Sequence, residues 1–109
     1  MIDLKITEPA QQDIQAAYQW WRDHRSRRQA DRWYLGLYQA IESLRQNPER
    51  CPLAPEAALL PQGVRQLLFT IGKRPTHRIV FAFDENAVTI LRVRHAAQAD
   101  LQAEDLPRE

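Results

Sequence analysis

Residues 76–97 constrain the fold more than any other stretch. They read THRIVFAF, then a polar break DEN, then AVTILRVRHAA. Both runs are rich in β-branched and aromatic residues, and a short polar turn separates them, which is the pattern of a β-hairpin. Each run carries apolar residues on both faces and arginines on one face only. A hairpin with apolar side chains on both faces is marginal alone, so the rest of the chain must supply another strand and a cover.

Both are visible upstream. Val64–Ile71 (VRQLLFTI) predicts the strand before the hairpin, and Gly72-Lys73-Arg74-Pro75 the turn that leads into it. These three strands form an antiparallel meander. At the N-terminus, residues 2–7 alternate, with Ile2, Leu4 and Ile6 on one side, which predicts a short half-buried strand. Thr7 then caps a helix from about Glu8 to His24. Glu8 and Pro9 stand in its first turn, where N–H groups lack intrahelical acceptors. Ile14, Ala17, Tyr18 and Trp21 make its apolar stripe, and Trp20 falls off it. Ser26 followed by Gln29 reads as a capping box opening a second helix, Arg27 to about Gln46. Its stripe is Ala30, Tyr34, Leu37, Ile41 and Leu44, and Asn47-Pro48 closes it. The short link between the helices predicts an antiparallel helical hairpin. Pro48, Pro52, Pro55, Pro61 and Gly63 mark an irregular crossing back to the sheet. The expected class is α+β: an N-terminal strand, an antiparallel helical hairpin and a three-stranded antiparallel β-meander.

A length of 109 residues suits one small domain, residues 1–109. The net charge of +1 conceals an uneven distribution, with −3 on residues 98–109 and +4 on residues 1–97. A mildly basic body suits an anionic partner. The acidic tail forms one frayed helical turn or stays loose. Cys51 is the only cysteine, which excludes an internal disulfide and a multi-cysteine zinc site. His24, His77 and His95 lack metal-ligand spacing, and no cofactor is expected. With no membrane-length apolar run and no signal-peptide pattern, a cytoplasmic protein is expected.

Alternation along each strand sorts side chains into two faces. His77, Ile79, Phe81 and Phe83 oppose Thr76, Arg78, Val80 and Ala82. Thr89, Leu91 and Val93 oppose Val88, Ile90, Arg92 and Arg94. Leu67, Phe69 and Ile71 oppose Gln66, Leu68 and Thr70. The first set of each pair is expected to face the helices. The second face then mixes Arg78, Arg92, Arg94 and Gln66 with Val80, Ile90 and Leu68. It is too apolar for a solvated surface and too charged for a sealed core, so it is expected to meet a partner. The competing reading is a solvated face whose arginines pair with turn carboxylates or lie along the sheet.

The order of elements, with Val64-Arg65-Gln66-Leu67-Leu68, His77-Arg78-Ile79-Val80-Phe81 and Ile90-Leu91-Arg92-Val93-Arg94-His95, resembles the RelE/ParE superfamily of bacterial toxins from type II toxin–antitoxin modules. The last of these stretches is similar to the strand that ends the sheet in the ParE-like branch. The resemblance spans about Ile2 to Ala97 and implies the two-layer fold of that superfamily.

The two branches imply different chemistry. RelE-like toxins are ribosome-dependent mRNA endonucleases, in which a 2′-hydroxyl attacks the adjacent phosphate. That reaction needs a base, a proton donor and cations for the phosphorane. The resemblance carries the third-strand arginine onto Arg78 and leaves His95 as the acid/base candidate. After Arg94-His95 come Ala96, Ala97 and Gln98, without the tyrosine or basic cluster that the endonucleases place there. The ParE-like branch is not enzymatic by resemblance and inhibits DNA gyrase. It implies a binding surface, for which Lys73, Arg74, Arg78, Arg92 and Arg94 are the basic candidates and Val80 and Ile90 the apolar ones. It also implies a cognate antitoxin whose acidic and apolar segment orders on the toxin. Arg25, Arg27, Arg28 and Arg32 at the helical turn are a second candidate surface. The alternatives to a gyrase inhibitor are the RelE-like endonuclease, which acts on the ribosome, and an inactive member that only binds its antitoxin.

Overall fold

A computed structural model describes residues 2–70 and 75–106. Strand β1 is Asp3–Ile6, helices α1 and α2 are Glu8–His24 and Arg27–Ser43, and strands β2, β3 and β4 are Arg65–Thr70, Pro75–Phe83 and Ala87–His95. The sheet order is β1-β4-β3-β2, and β2, β3 and β4 form the expected antiparallel meander. β1 joins the far edge and runs parallel to β4, with Asp3 opposite Ala87 and Ile6 opposite Ile90. Parallel pairing needs a crossover, which here takes in both helices and two further strands.

Thr7 fixes where β1 becomes α1. Its hydroxyl accepts from the Ala10 N–H at 3.2 Å and donates to the Leu91 carbonyl at 2.9 Å, so the helix start is tied to β4. Ser26 Oγ accepts from the Gln29 N–H at 3.1 Å and opens α2 as expected. α2 stops at Ser43, earlier than Gln46. The following turn leads to Asn47 in a left-handed conformation before Pro48, a position that disfavours helix. Arg50 stabilises this ending by donating to the Gln46 and Asn47 carbonyls at 2.6 and 3.1 Å.

The helical hairpin buries Ile14, Trp33, Leu37, Ile41 and Leu44 against Phe69, Ile79, Phe81, Val88, Ile90 and Val93. Trp33, not the expected Tyr34, is the fully buried aromatic of α2, while Tyr34 packs at the margin. Gly36 permits the close approach, because a Cβ there would stand 3.1 Å from the Phe69 ring.

A bulge in β4 corrects the expected division of its side chains. Val80 pairs with Arg92 but Phe81 pairs with Ile90, so Leu91 is an extra residue. One inserted residue reverses the alternation on either side of it. Val88 and Ile90 therefore face the helices before the bulge, and Val93 does so after it. Leu91 packs on the opposite face with Val64, Val80 and Ala82. Ile90, expected among the arginines, is fully buried beneath the helices.

The second face is also covered. Leu101 and Leu106 of the C-terminal segment pack on Val80, Ala82 and Leu91, together with Ala54 and Val64. A short 3₁₀ turn, Ala103–Asp105, lies between the two leucines. Residues 98–106 are thus a strap docked on the sheet, not a loose tail. No described helix is long and apolar enough to cross a membrane.

Candidate functional site: the arginine face and the tryptophan cleft

Arg78 sits in the middle of the second face with 5% of its surface exposed. Its Nη1 donates to Glu56 Oε1 at 2.9 Å and to Gln66 Oε1 at 3.1 Å, and its Nη2 pairs with Glu56 Oε2. Asp100 of the strap stands 3.8 Å away. The Leu101 N–H also donates to Glu56 Oε2, at 2.7 Å. One buried carboxylate thus joins the proline-rich crossing, β3 and the strap. Burial alone would push the Glu56 carboxyl up. The hydrogen bonds from Arg78 and from the Leu101 and Glu56 N–H groups outweigh that and hold it below the usual carboxylate range.

The other arginines of this face are engaged as well. Arg92 forks onto Asp13 of α1, with Nε to Oδ2 at 2.7 Å and Nη2 to Oδ1 at 2.8 Å. Its Nη1 donates to the Asp105 carbonyl at 3.0 Å. A third hydrogen bond to Asp13, from the Val93 N–H at 3.0 Å, ties the helix to β4. Arg94 Nη2 donates to the Ala99 carbonyl at 3.0 Å. Arg78, Val80, Arg92 and Arg94 therefore share one face, as expected, and the chain's own strap lies over them. Ile90 does not join them. Lys73 and Arg74 lie outside the described residues.

The opposite face ends in a cleft of about 490 Å³ between α1 and the β3–β4 end, lined by Trp20, Trp21, Arg25, His77 and His95 among others. His77 and His95 are cross-strand partners whose rings meet edge to face at 5.3 Å. His77 Nδ1 lies 3.0 Å from Thr76 Oγ1, and its ring also abuts Trp33 at 5.1 Å. Burial, then the neighbouring His95, pushes the His77 imidazole down to about 4, so it is neutral near pH 7. His95 Nδ1 accepts from the Ala97 N–H at 3.1 Å, which leaves the proton of the neutral ring on Nε2. Among the described residues, no group of three or more histidine, cysteine, aspartate or glutamate side chains gathers as a metal site.

Arg78 and His95 do not converge. Arg78 stands opposite Arg94 on the strap-covered face, and His95 stands opposite His77 on the helix side. A phosphate cannot touch both through the sheet. Three residues matter here to which the sequence assigned no role. Glu56 has no local signal, because its partner is 22 residues away. Asp13 is one acidic residue among several on a polar helix face. Trp20 does carry a signal, since a tryptophan off the apolar stripe has no place in the core.

A family profile describing the ParE toxin of the type II toxin–antitoxin system, parDE, matches residues 4–100. Among solved structures, a chain of the chromosomal ParDE toxin–antitoxin system from P. aeruginosa superposes with a TM-score of 0.70. The match covers 87% of this chain and 96% of that one at 22% identity, and at such identity it establishes the fold. No curated protein matches. The profile match over nearly the whole chain, on a fold of the same shape, shows that this chain belongs to the ParE toxin family of type II toxin–antitoxin systems.

Proposed function

We propose that this chain acts in the cytoplasm as a toxin that binds and inhibits DNA gyrase, and that a cognate antitoxin neutralises it. The ParE family match over residues 4–100 carries this reading. The site geometry supports it against RNA cleavage. Cleavage by 2′-hydroxyl attack needs cations and an acid or base around one phosphate. Here Arg78 is buried in its pair with Glu56, Arg92 is forked onto Asp13, and His95 is on the other side of the sheet.

The antitoxin segment would take the face of Arg78, Val80, Arg92 and Arg94. The strap indicates the chemistry that this face accepts: two leucines for the apolar ground, and carbonyls and a carboxylate for the arginines. An acidic and apolar antitoxin segment supplies the same groups, so it would replace residues 98–106 there.

The test pairs two assays on the purified chain: supercoiling by gyrase, and cleavage of mRNA on translating ribosomes. Inhibition of supercoiling with intact mRNA is the expected result. Cleavage of mRNA by the purified chain, with gyrase unaffected, would establish the endonuclease instead.

A further inference from the structure

The tip of the helical hairpin concentrates positive charge. Residues 22–32 contain five arginines and two aspartates, a local +3 on a chain whose total is +1. Arg22, Arg25, Arg27, Arg28 and Arg32 are all exposed. Of the two acids, Asp31 accepts from the Tyr18 hydroxyl at 2.6 Å, and Asp23 lies 3.7 Å from Arg22. Among the described residues, Arg25, Arg27, Arg28 and Arg32 form no salt bridge. This contrasts with Arg78 and Arg92, whose charges are matched internally.

An exposed aromatic wall adjoins this charge. Trp20 is 46% exposed, an unfavourable placement for so large an apolar surface. His24 stacks on its ring at 4.8 Å and 13°, the Arg25 guanidinium lies over the ring at 5.9 Å from its centre, and the Trp21 ring meets it edge to face at 5.6 Å. Trp20, Trp21 and Arg25 line the cleft of about 490 Å³, with Thr76, His95 and Gln98 giving it polar edges. Asp13, also in the lining, is neutralised by Arg92.

Arginines without salt bridges beside a half-exposed tryptophan make the chemistry that single-stranded nucleic acids need: cations for the backbone and an aromatic ring for bases. A duplex would offer its phosphates but keep its bases stacked away from the cleft. An acidic peptide would use the arginines and leave the aromatic wall without a planar partner. We propose that the α1–α2 tip and the Trp20 cleft form a binding site for single-stranded nucleic acid, with phosphates on Arg25, Arg27 and Arg28 and a base stacked against Trp20. This site is separate from the strap-covered arginine face and does not depend on the gyrase reading.

The full-length chain is titrated into a fluorescein-labelled short oligothymidylate at low salt, with anisotropy as the readout. A duplex of equal length and poly-glutamate serve as competitors. The single strand is expected to bind more tightly than the duplex and to quench tryptophan emission. Trp20→Ala is expected to weaken binding by about 5- to 150-fold, the range for loss of one stacked base. Arg27→Ala with Arg28→Ala is expected to flatten the dependence of log affinity on log salt by about 0.7 per arginine. All three side chains are exposed, and an unchanged urea midpoint confirms that the variants are folded. No binding at low salt overturns the proposal. So does duplex binding equal to single-strand binding with Trp20→Ala without effect, which would leave only non-specific charge. Competition by poly-glutamate equal to that of unlabelled oligonucleotide overturns it in favour of an acidic protein partner.

Discussion

Arg78 is one half of a buried pair with Glu56, with 5% and 4% of the two residues exposed. Removing one member of such a pair leaves an uncompensated buried charge. Glu56→Ala is therefore expected to lower stability by about 3–5 kcal/mol in urea unfolding. The double variant Glu56→Leu with Arg78→Met should regain most of that loss, because it removes both charges and keeps the volume. The pair also predicts acid sensitivity. Glu56 is held below its ordinary value of 4.5, so its contribution is present above that pH and fades as the pH falls through its folded value. His77 acts in a higher window. Its folded value of about 4 is below the ordinary 6.5, so the unfolded chain binds its proton first. Stability should decline as the pH falls from about 6.5 to about 4, by about 3 kcal/mol at most. His77→Gln should abolish that slope while leaving the steeper loss at lower pH. A slope that survives the substitution would place the titration elsewhere. The Glu56–Arg78 pair was not legible in the sequence, because ion pairs join residues that no local pattern connects.

At the scale of elements, most boundaries were legible. Thr7 and Ser26 act through side-chain hydrogen bonds within their own helical turns, so local sequence is enough to place both helix starts. The meander was legible for the same reason, since alternation is local. β4 is where alternation failed. Leu91 and Arg92 both lie on the strap side, and a run of apolar and basic residues looks alike with or without an inserted residue. The bulge decides which side chains meet the helices, and only pairing with Val80 and Phe81 reveals it. The strap was missed for a related reason. Its two leucines, Leu101 and Leu106, stand among acidic residues, so their composition suggests a solvated tail. Their burial makes a clear expectation. Leu101→Ala should destabilise the chain by about 2–5 kcal/mol, the range for a truncated core leucine. Leu35→Ala, at a position 61% exposed, should fall within about 0.5 kcal/mol of the parent. Equal effects at the two sites would mean that the strap does not contribute to the folded core.

Across the whole molecule, the two faces of the sheet are closed by different means. The helical hairpin closes one with a continuous apolar layer in which Trp33, Phe81 and Ile90 are fully buried. The strap closes the other with two leucines, main-chain carbonyls and one carboxylate. The first cover is an integral part of the fold, whereas the second is a short segment that the antitoxin segment proposed above would have to displace. On that proposal, competition between the strap and an antitoxin segment follows from mass action. A ligand that needs the face open has its affinity reduced by the fraction of molecules in which it is open. Weakening the strap without touching the arginines should therefore strengthen antitoxin binding even as it weakens the fold. Leu101→Ala in the full-length chain separates the two effects, because Arg78, Val80, Arg92 and Arg94 are all retained. Each 1.4 kcal/mol by which the strap opens more easily gives about a tenfold gain in apparent affinity. Titration calorimetry of the variant with the cognate antitoxin is expected to show a gain of about tenfold or more, together with a lower urea midpoint for the free toxin. Unchanged affinity would place the antitoxin on another surface. A loss of affinity would make Leu101 part of the interface itself, with the strap remaining on the sheet beneath its partner.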